Sequence, residues 1–209
     1  MLDMKEKHVP ILLKSPFKLL YIFRSIGQKG GQQIDGYKLG HESVKVSFRK
    51  KLYAQENILS NNITEEAGPS EALLELALLA GHKSRYREDS NISEERFKAL
   101  YTTWLLNSFK GSLGDVVLSY KQNGALLGFI SIKKEGHTAR VGLVAVKEQF
   151  QLKNIGKSLV AAAEHWAYQQ DCNSIRVCTQ EHNLAAISLY KSCGYQEQAK
   201  VLVQHFWKG

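Results

Sequence analysis

The run RVGLVAVKEQFQLKNIGKSLVAAAEHWA, residues 140–167, limits the fold of this chain more than any other stretch. A strand-like segment ends at Val146, a polar turn follows at once, and a long helical pattern begins near Ile155. Ordinary α/β connectivity is one account of that succession. The other rests on the helix start. The first backbone N–H groups of a helix have no intrahelical partner, and the dipole favours an anion there. Gly156 allows close backbone approach, and Lys153 and Lys157 add positive charge. Lysines at helix starts are most often plain solvated surface residues, so both accounts stand on this stretch alone.

The flanking segments extend the pattern. SEALLELALLAG predicts a helix over about residues 70–80, and SEERFKALYTTWLLNSF predicts a second, with Ser93 as N-cap and two glutamates in its first turn. DVVLSY and ALLGFISIKK read as a hairpin around Asn123-Gly124, residue types that tolerate positive φ. SIRVCTQ is a strand, NLAAISLYKSC a helix stopped by Gly194, and AKVLVQHFW a last strand. Upstream, FKLLYIFRS is a strand candidate, GQKGGQQIDG is loop-like, and SVKVSF sets Val44, Val46 and Phe48 on one face. This upstream region holds too little apolar material for a core of its own, so it is expected to lean on the rest. The polar stretch from Asn61 to Pro69 marks the expected boundary. The fold class is α/β (α+β), a mixed central sheet with helices on both faces, antiparallel strands first and strand–helix–strand units after.

Composition removes several classes of function. No run of 18 or more apolar residues occurs, and Lys14 and Pro16 interrupt the apolar N-terminal stretch, so neither a membrane span nor a signal peptide is expected and the location is expected to be cytoplasmic. Cys172, Cys178 and Cys193 suit neither a disulfide framework nor a zinc site, and no metal is expected. The net charge of +8 is spread thinly, FRKKL being its densest cluster. That distribution argues against a nucleic-acid partner, while a phosphate-bearing small molecule would be steered by the same field. No Gly-x-Gly-x-x-Gly follows a strand, which disfavours a dinucleotide oxidoreductase.

Two motifs carry a resemblance. QLKNIG, residues 151–156, resembles the pyrophosphate loop of the GCN5-related N-acetyltransferases (the GNAT family), Arg/Gln-x-x-Gly-x-Gly/Ala. Gln151 fills the first position and Gly156 the last, while Asn154 replaces the first glycine; asparagine is among the non-glycine residues most tolerant of left-handed backbone. NLAAISLYKSCGY resembles the family's next motif, with Asn183, Ala186, Leu189, Tyr190, Gly194 and Tyr195 in place. Asn183, Ala186 and Tyr190 also share one helical face. The resemblance implies an acetyltransferase fold using acetyl-CoA as co-substrate. It implies cofactor contacts from Leu143, Val144, Ala145 and Val146 through backbone groups, from Gln151, Leu152, Lys153, Asn154, Ile155, Gly156, Lys157 and Ser158 around the turn, and from Thr179, Asn183, Ala186 and Leu189. Tyr190 would protonate the departing thiolate, a step that needs an acid because the leaving thiol has a pKa of about 8.5–10. From the residues alone, GLVAV is equally a buried strand and Tyr190 is more readily a core aromatic; the two motifs in order favour the functional reading.

The similarity extends, over roughly residues 71–207, to family members that acetylate the amine of a dTDP-linked 4-amino-4,6-dideoxyhexose. The expected partner is therefore a nucleotide-sugar amine. The domain reading is a small truncated N-terminal β-rich region, 1–62, that shapes the acceptor site, and an acetyltransferase domain, 63–209. Arg85, Tyr86 and Arg87 are the substrate candidates: two arginines suit a diphosphate and the tyrosine could stack on a base or sugar, the alternative being an exposed basic loop. His82, His137, His165, His182 and His205 offer possible bases, with ordered water as another route. A homodimer is common in such enzymes. Another acceptor (a protein N-terminus or an antibiotic amine) and a non-catalytic CoA-binding protein are the competing readings.

Overall fold

The computed structural model describes residues 18–26, 34–54 and 60–209. The stretch before residue 18 and most of GQKGGQQIDG lie outside the described residues. The strands are β1 (Leu19–Ser25), β2 (Tyr37–Lys51), β3 (Ile63–Glu65), β4 (Val116–Gln122), β5 (Ala125–Glu135), β6 (Thr138–Val146), β7 (Ser174–Gln180) and β8 (Gln196–Lys208). The helices are α1 (Glu71–Ala80), α2 (Arg85–Glu88), α3 (Glu94–Phe109), α4 (Ile155–Gln169) and α5 (Leu184–Ser192). Ser70, Ser84 and Ser93 cap α1, α2 and α3, each hydroxyl accepting from the backbone N–H three residues on. Such a cap stabilises a helix by about 1 kcal/mol. The cap at Ser84 turns part of the expected basic loop into the short helix α2.

One eight-stranded sheet contains every strand, in the order β1-β8-β2-β7-β6-β5-β4-β3. All neighbours are antiparallel except β6 and β7. The expected division at residue 62 separates β1 and β2 from the rest in sequence. In space β2 runs between β7 and β8, pairing with β8 along most of its length and with β7 over residues 45–51. The upstream region thus leans on the rest through the backbone ladder as well as through side chains. The polar stretch at the boundary contributes β3, which pairs with β4.

Side-chain alternation divides the core. Val116 and Leu118 of β4 pack with Leu159, Val160 and Ala163 of α4, whereas Val117 between them packs with Leu73, Leu76 and Leu105 of α1 and α3. Successive strand residues face opposite ways, so the two helical layers cover opposite faces of the sheet. Val46 and Phe48 of β2 are buried on the α4 side, as the alternation of SVKVSF requires. On that side Lys50 also reaches Glu164 of α4 at 2.7 Å, tying the N-terminal strand to the central helix. Among the described residues no helix is long and apolar enough to cross a membrane.

Candidate active site

β6 and β7 pair over residues 138–140 and 174–176 and then separate. β6 stays bonded to β5 as far as Val146, and β7 to β2 as far as Gln180, so each strand keeps its outer partner while a gap opens between them. A bulge starts the separation. Ile132 pairs with Val141 and Ile130 with Val144, leaving Gly142 and Leu143 opposite Ser131 alone. The Ser131 hydroxyl accepts the Leu143 N–H at 2.8 Å, and a Cβ on Gly142 would stand 2.7 Å from the same oxygen. The bulge also reverses which face each residue takes: Val141 packs on the α4 side, but Leu143 and Ala145 pack on the α1–α3 side. Of the expected contacts on β6, Leu143 and Ala145 are buried while Val144 and Val146 remain partly open.

Beyond β6 the turn holds two non-glycine residues in left-handed backbone. Asn154 has φ 61° at the start of α4, as its place in the motif requires, and Leu152 has φ 62°. The tolerance of asparagine for this region was readable in the sequence; the positive φ of a fully exposed leucine was not. Gln151 donates from its side chain to the carbonyl of Val146 at 3.1 Å, holding the turn to the end of the strand. The first intrahelical bond runs from Ser158 N–H to Asn154 O, so the N–H groups of Ile155, Gly156 and Lys157 precede the helical ladder. Ile155 is buried, while Lys153 and Lys157 are exposed. Gly156 also meets α5, since a Cβ there would lie 3.2 Å from Leu189.

On the far side of the gap, Thr179 is half-buried near the end of β7 and Asn183 caps α5, its side-chain oxygen accepting the Ala186 N–H at 3.3 Å. Ala186 and Leu189 pack against the core below. Tyr190 is 2% exposed, with its ring 6.0 Å from Phe48 of β2 and 5.8 Å from Tyr195. Burial, reinforced by Cys178 and Cys193, raises its pKa well above that of an ordinary phenol, so the hydroxyl carries its proton at neutral pH.

The three substrate candidates part company. Tyr86 turns inward, edge-on to Trp104 at 5.4 Å and tilted over His205 at 5.9 Å. Arg85 lies over the Tyr86 ring at 4.3 Å and donates to its hydroxyl. Arg87 pairs with Glu94 on α3. Around Arg85 the sheet face is polar. Cross-strand pairs share a face, so His41 of β2 stands beside His205 of β8, and Gln180 of β7 beside Lys45. Asp89 accepts from His205 Nδ1 at 2.7 Å, from Trp207 at 2.9 Å, and from Asn91 twice at 3.0 Å. Burial opposes the Asp89 carboxylate, and those hydrogen bonds outweigh it, holding its pKa below the usual range. His205 moves down as well, chiefly through burial, against the pull of Asp89. Asp89 can only accept, so Nδ1 of His205 carries the hydrogen and Nε2 a lone pair. That Nε2, together with Nε2 of His41, Oγ of Ser43, Oε1 of Gln180 and Nε of Arg85, is buried without a partner. Sequence reading missed His41, Ser43, Gln180 and Asp89, because only the strand order brings them together.

A pair of parallel strands parting beside an N–H-lined helix start is the architecture of an acyltransferase. The profile of the acetyltransferase (GNAT) family matches residues 79–195, and the chain belongs to that family, which uses acetyl-CoA. Two curated relatives concern carbohydrates. The spore coat polysaccharide biosynthesis protein SpsD of Bacillus subtilis is 29% identical over 144 residues, 69% of this chain and 50% of that protein. The dTDP-fucosamine acetyltransferase of Escherichia coli is 30% identical over 125 residues, 59% of this chain and 53% of that protein. The chain thus spans about half the length of these relatives. Among solved structures, a GNAT-family acetyltransferase from Novosphingobium aromaticivorans shares the fold with TM-score 0.64 at 12% identity, over 97% of this chain and 79% of that one. The PaiA N-acetyltransferase of Thermoplasma acidophilum, solved with coenzyme A, has TM-score 0.54 at 22% identity, over 68% of this chain and 97% of that one.

Proposed function

We propose that this protein transfers acetyl from acetyl-CoA to the amine of a nucleotide-linked amino-dideoxy sugar, with dTDP as the nucleotide. The observation that carries the transfer is the gap between β6 and β7, which gives a thioester and an amine access to each other from opposite faces of the sheet. The residues fit the co-substrate. N–H groups at the start of α4, with Leu152 and Asn154 both at positive φ, form a concavity suited to a pyrophosphate, and Lys153 and Lys157 add charge beside it. Backbone groups of Leu143, Val144, Ala145 and Val146 border the gap, suited to a pantetheine arm and to polarising a thioester carbonyl. Acetyl-CoA supplies an acyl group already activated by its thioester.

Tyr190 holds its proton and acts as donor to the leaving sulfur. It stabilises the developing thiolate by hydrogen bonding and gives up the proton as negative charge builds on sulfur. For the acceptor, the supporting observations are the polar sheet face and the two carbohydrate relatives. Buried polar atoms without partners favour a ligand carrying several hydroxyl or amine hydrogens. Arg85 is the candidate of the 85–87 group that stays with this face, lying over Tyr86, while Arg87 is engaged by Glu94 on α3.

The test is thiol release from acetyl-CoA with dTDP-4-amino-4,6-dideoxygalactose, its 4-epimer and the 3-amino isomers. Turnover with one sugar well above the others is the expected result. Turnover with a peptide N-terminus or an aminoglycoside in preference to every sugar would replace the acceptor assignment.

A further inference from the structure

The mouth of the gap holds titratable groups that acetyl donation does not use. His182 lies between β7 and the cap of α5, next to Asn183. Its Nε2 stands 2.7 Å from Oε1 of Glu88, the last residue of α2, and both side chains are partly exposed. His41 of β2 stands 3.8 Å from the other oxygen of Glu88. Behind His41 the His205 ring lies at 5.5 Å, fixed through Nδ1 to Asp89. Consecutive acids at the end of α2 thus each hold an imidazole: Glu88 holds His182 and Asp89 holds His205, while His41 lies beyond hydrogen-bond reach of Glu88. The unpartnered Nε2 of the fully buried His205, and that of His41, lie on the same face.

This arrangement fixes a tautomer at the mouth. A carboxylate only accepts, so Nε2 of neutral His182 carries the hydrogen and Nδ1 the lone pair. We infer that Nδ1 of His182, oriented by Glu88, takes the proton from the amine as it attacks. The inference rests on acetyl transfer to an amine. In the step, the amine nitrogen forms a bond to the thioester carbonyl carbon and its N–H proton passes to His182. Collapse breaks the carbon–sulfur bond, and the sulfur leaves with the proton of Tyr190.

The charged groups around the pair are accounted for. Arg87 is engaged by Glu94 and Glu181 by Lys200, while Arg85 lies on the Tyr86 ring and Asp89 is filled by its four donors. Glu88 is therefore the charged group that acts on His182 directly.

The experiment compares the unsubstituted protein with His182→Gln and Glu88→Gln. It measures acetyl transfer to the preferred amine across pH 5.5–9, acetyl-CoA affinity by calorimetry, and acetyl-CoA hydrolysis without any amine. A base at this place takes a proton from water as well as from an amine, so hydrolysis gives a readout independent of the acceptor. Expected for His182→Gln is a loss of about 100-fold in kcat with KM for the amine and the acetyl-CoA affinity little changed, loss of the acidic limb of the pH profile, and a parallel fall in hydrolysis. Glu88→Gln is expected to lose about 10-fold in kcat and to keep an acidic limb. Unchanged kcat, pH profile and hydrolysis in His182→Gln would overturn the inference, as would a change in amine KM alone. Absence of turnover by the unsubstituted protein with every nucleotide sugar would fall on the acceptor assignment, and the hydrolysis comparison would still decide the role of His182.

Discussion

Tyr190 packs as a core aromatic at the position where the proposed mechanism needs a proton donor. Its ring packs on Phe48 and Tyr195, and its burial keeps the hydroxyl protonated. Tyr190→Phe preserves the ring packing, so kcat is expected to fall by about 100-fold in thiol-release assays while acetyl-CoA affinity stays within about 2-fold. At the turn, Asn154 holds a left-handed conformation that the motif ordinarily assigns to glycine. Asparagine could be read there because its tolerance of positive φ is intrinsic. Leu152 could not, since nothing intrinsic to leucine favours that region and only the chain path enforces it.

Two elements depend on contacts that local pattern does not encode. The bulge in β6 rests on the buried Ser131 hydroxyl of the neighbouring strand. Ser131→Ala leaves the Leu143 N–H without its acceptor, and a loss of about 1–3 kcal/mol in denaturant unfolding is expected, together with weaker acetyl-CoA binding because β6 borders the gap. β2 is tied to α4 by Lys50 and Glu164, the carboxylate being the more deeply buried partner. Lys50→Met leaves Glu164 buried without its counter-charge, and a loss of about 3 kcal/mol is expected in the same measurement. Glu164→Gln with Lys50→Met should recover part of that loss, a double-mutant cycle giving the coupling. Helix boundaries needed no such help. Ser70 and Ser93 mark their helices in the sequence, and Asn123-Gly124 marks its hairpin with φ of 51° and 77°.

Across the whole molecule, the His205–Asp89 group joins β8 to the segment after α2 and makes stability depend on pH. Both groups have depressed folded-state pKa values, His205 mainly through burial and Asp89 through hydrogen bonds that outweigh its burial. Protonation therefore favours the unfolded chain. Their contribution is complete above about pH 6.5, the unfolded histidine value, and falls as pH drops, first through His205 and then, below about pH 4, through Asp89. The melting temperature is expected to decline from pH 7 to pH 5, and His205→Gln should flatten that decline in differential scanning calorimetry. The sequence by itself determined the succession of strands and helices, two motifs resembling those of the family, and the family, because hydrophobic period, caps, turn residues and motif spacing are properties of contiguous residues. It also placed Gln151, Asn154, Asn183 and Tyr190 in those motifs. Only the tertiary structure decided that β2 enters the sheet between β7 and β8, that a bulge opposite Ser131 parts β6 from β7, and that Glu88, His182, His41 and His205 meet on one face. These depend on which strands become neighbours, and pairing between residues more than a hundred positions apart leaves no mark in any local stretch of the chain.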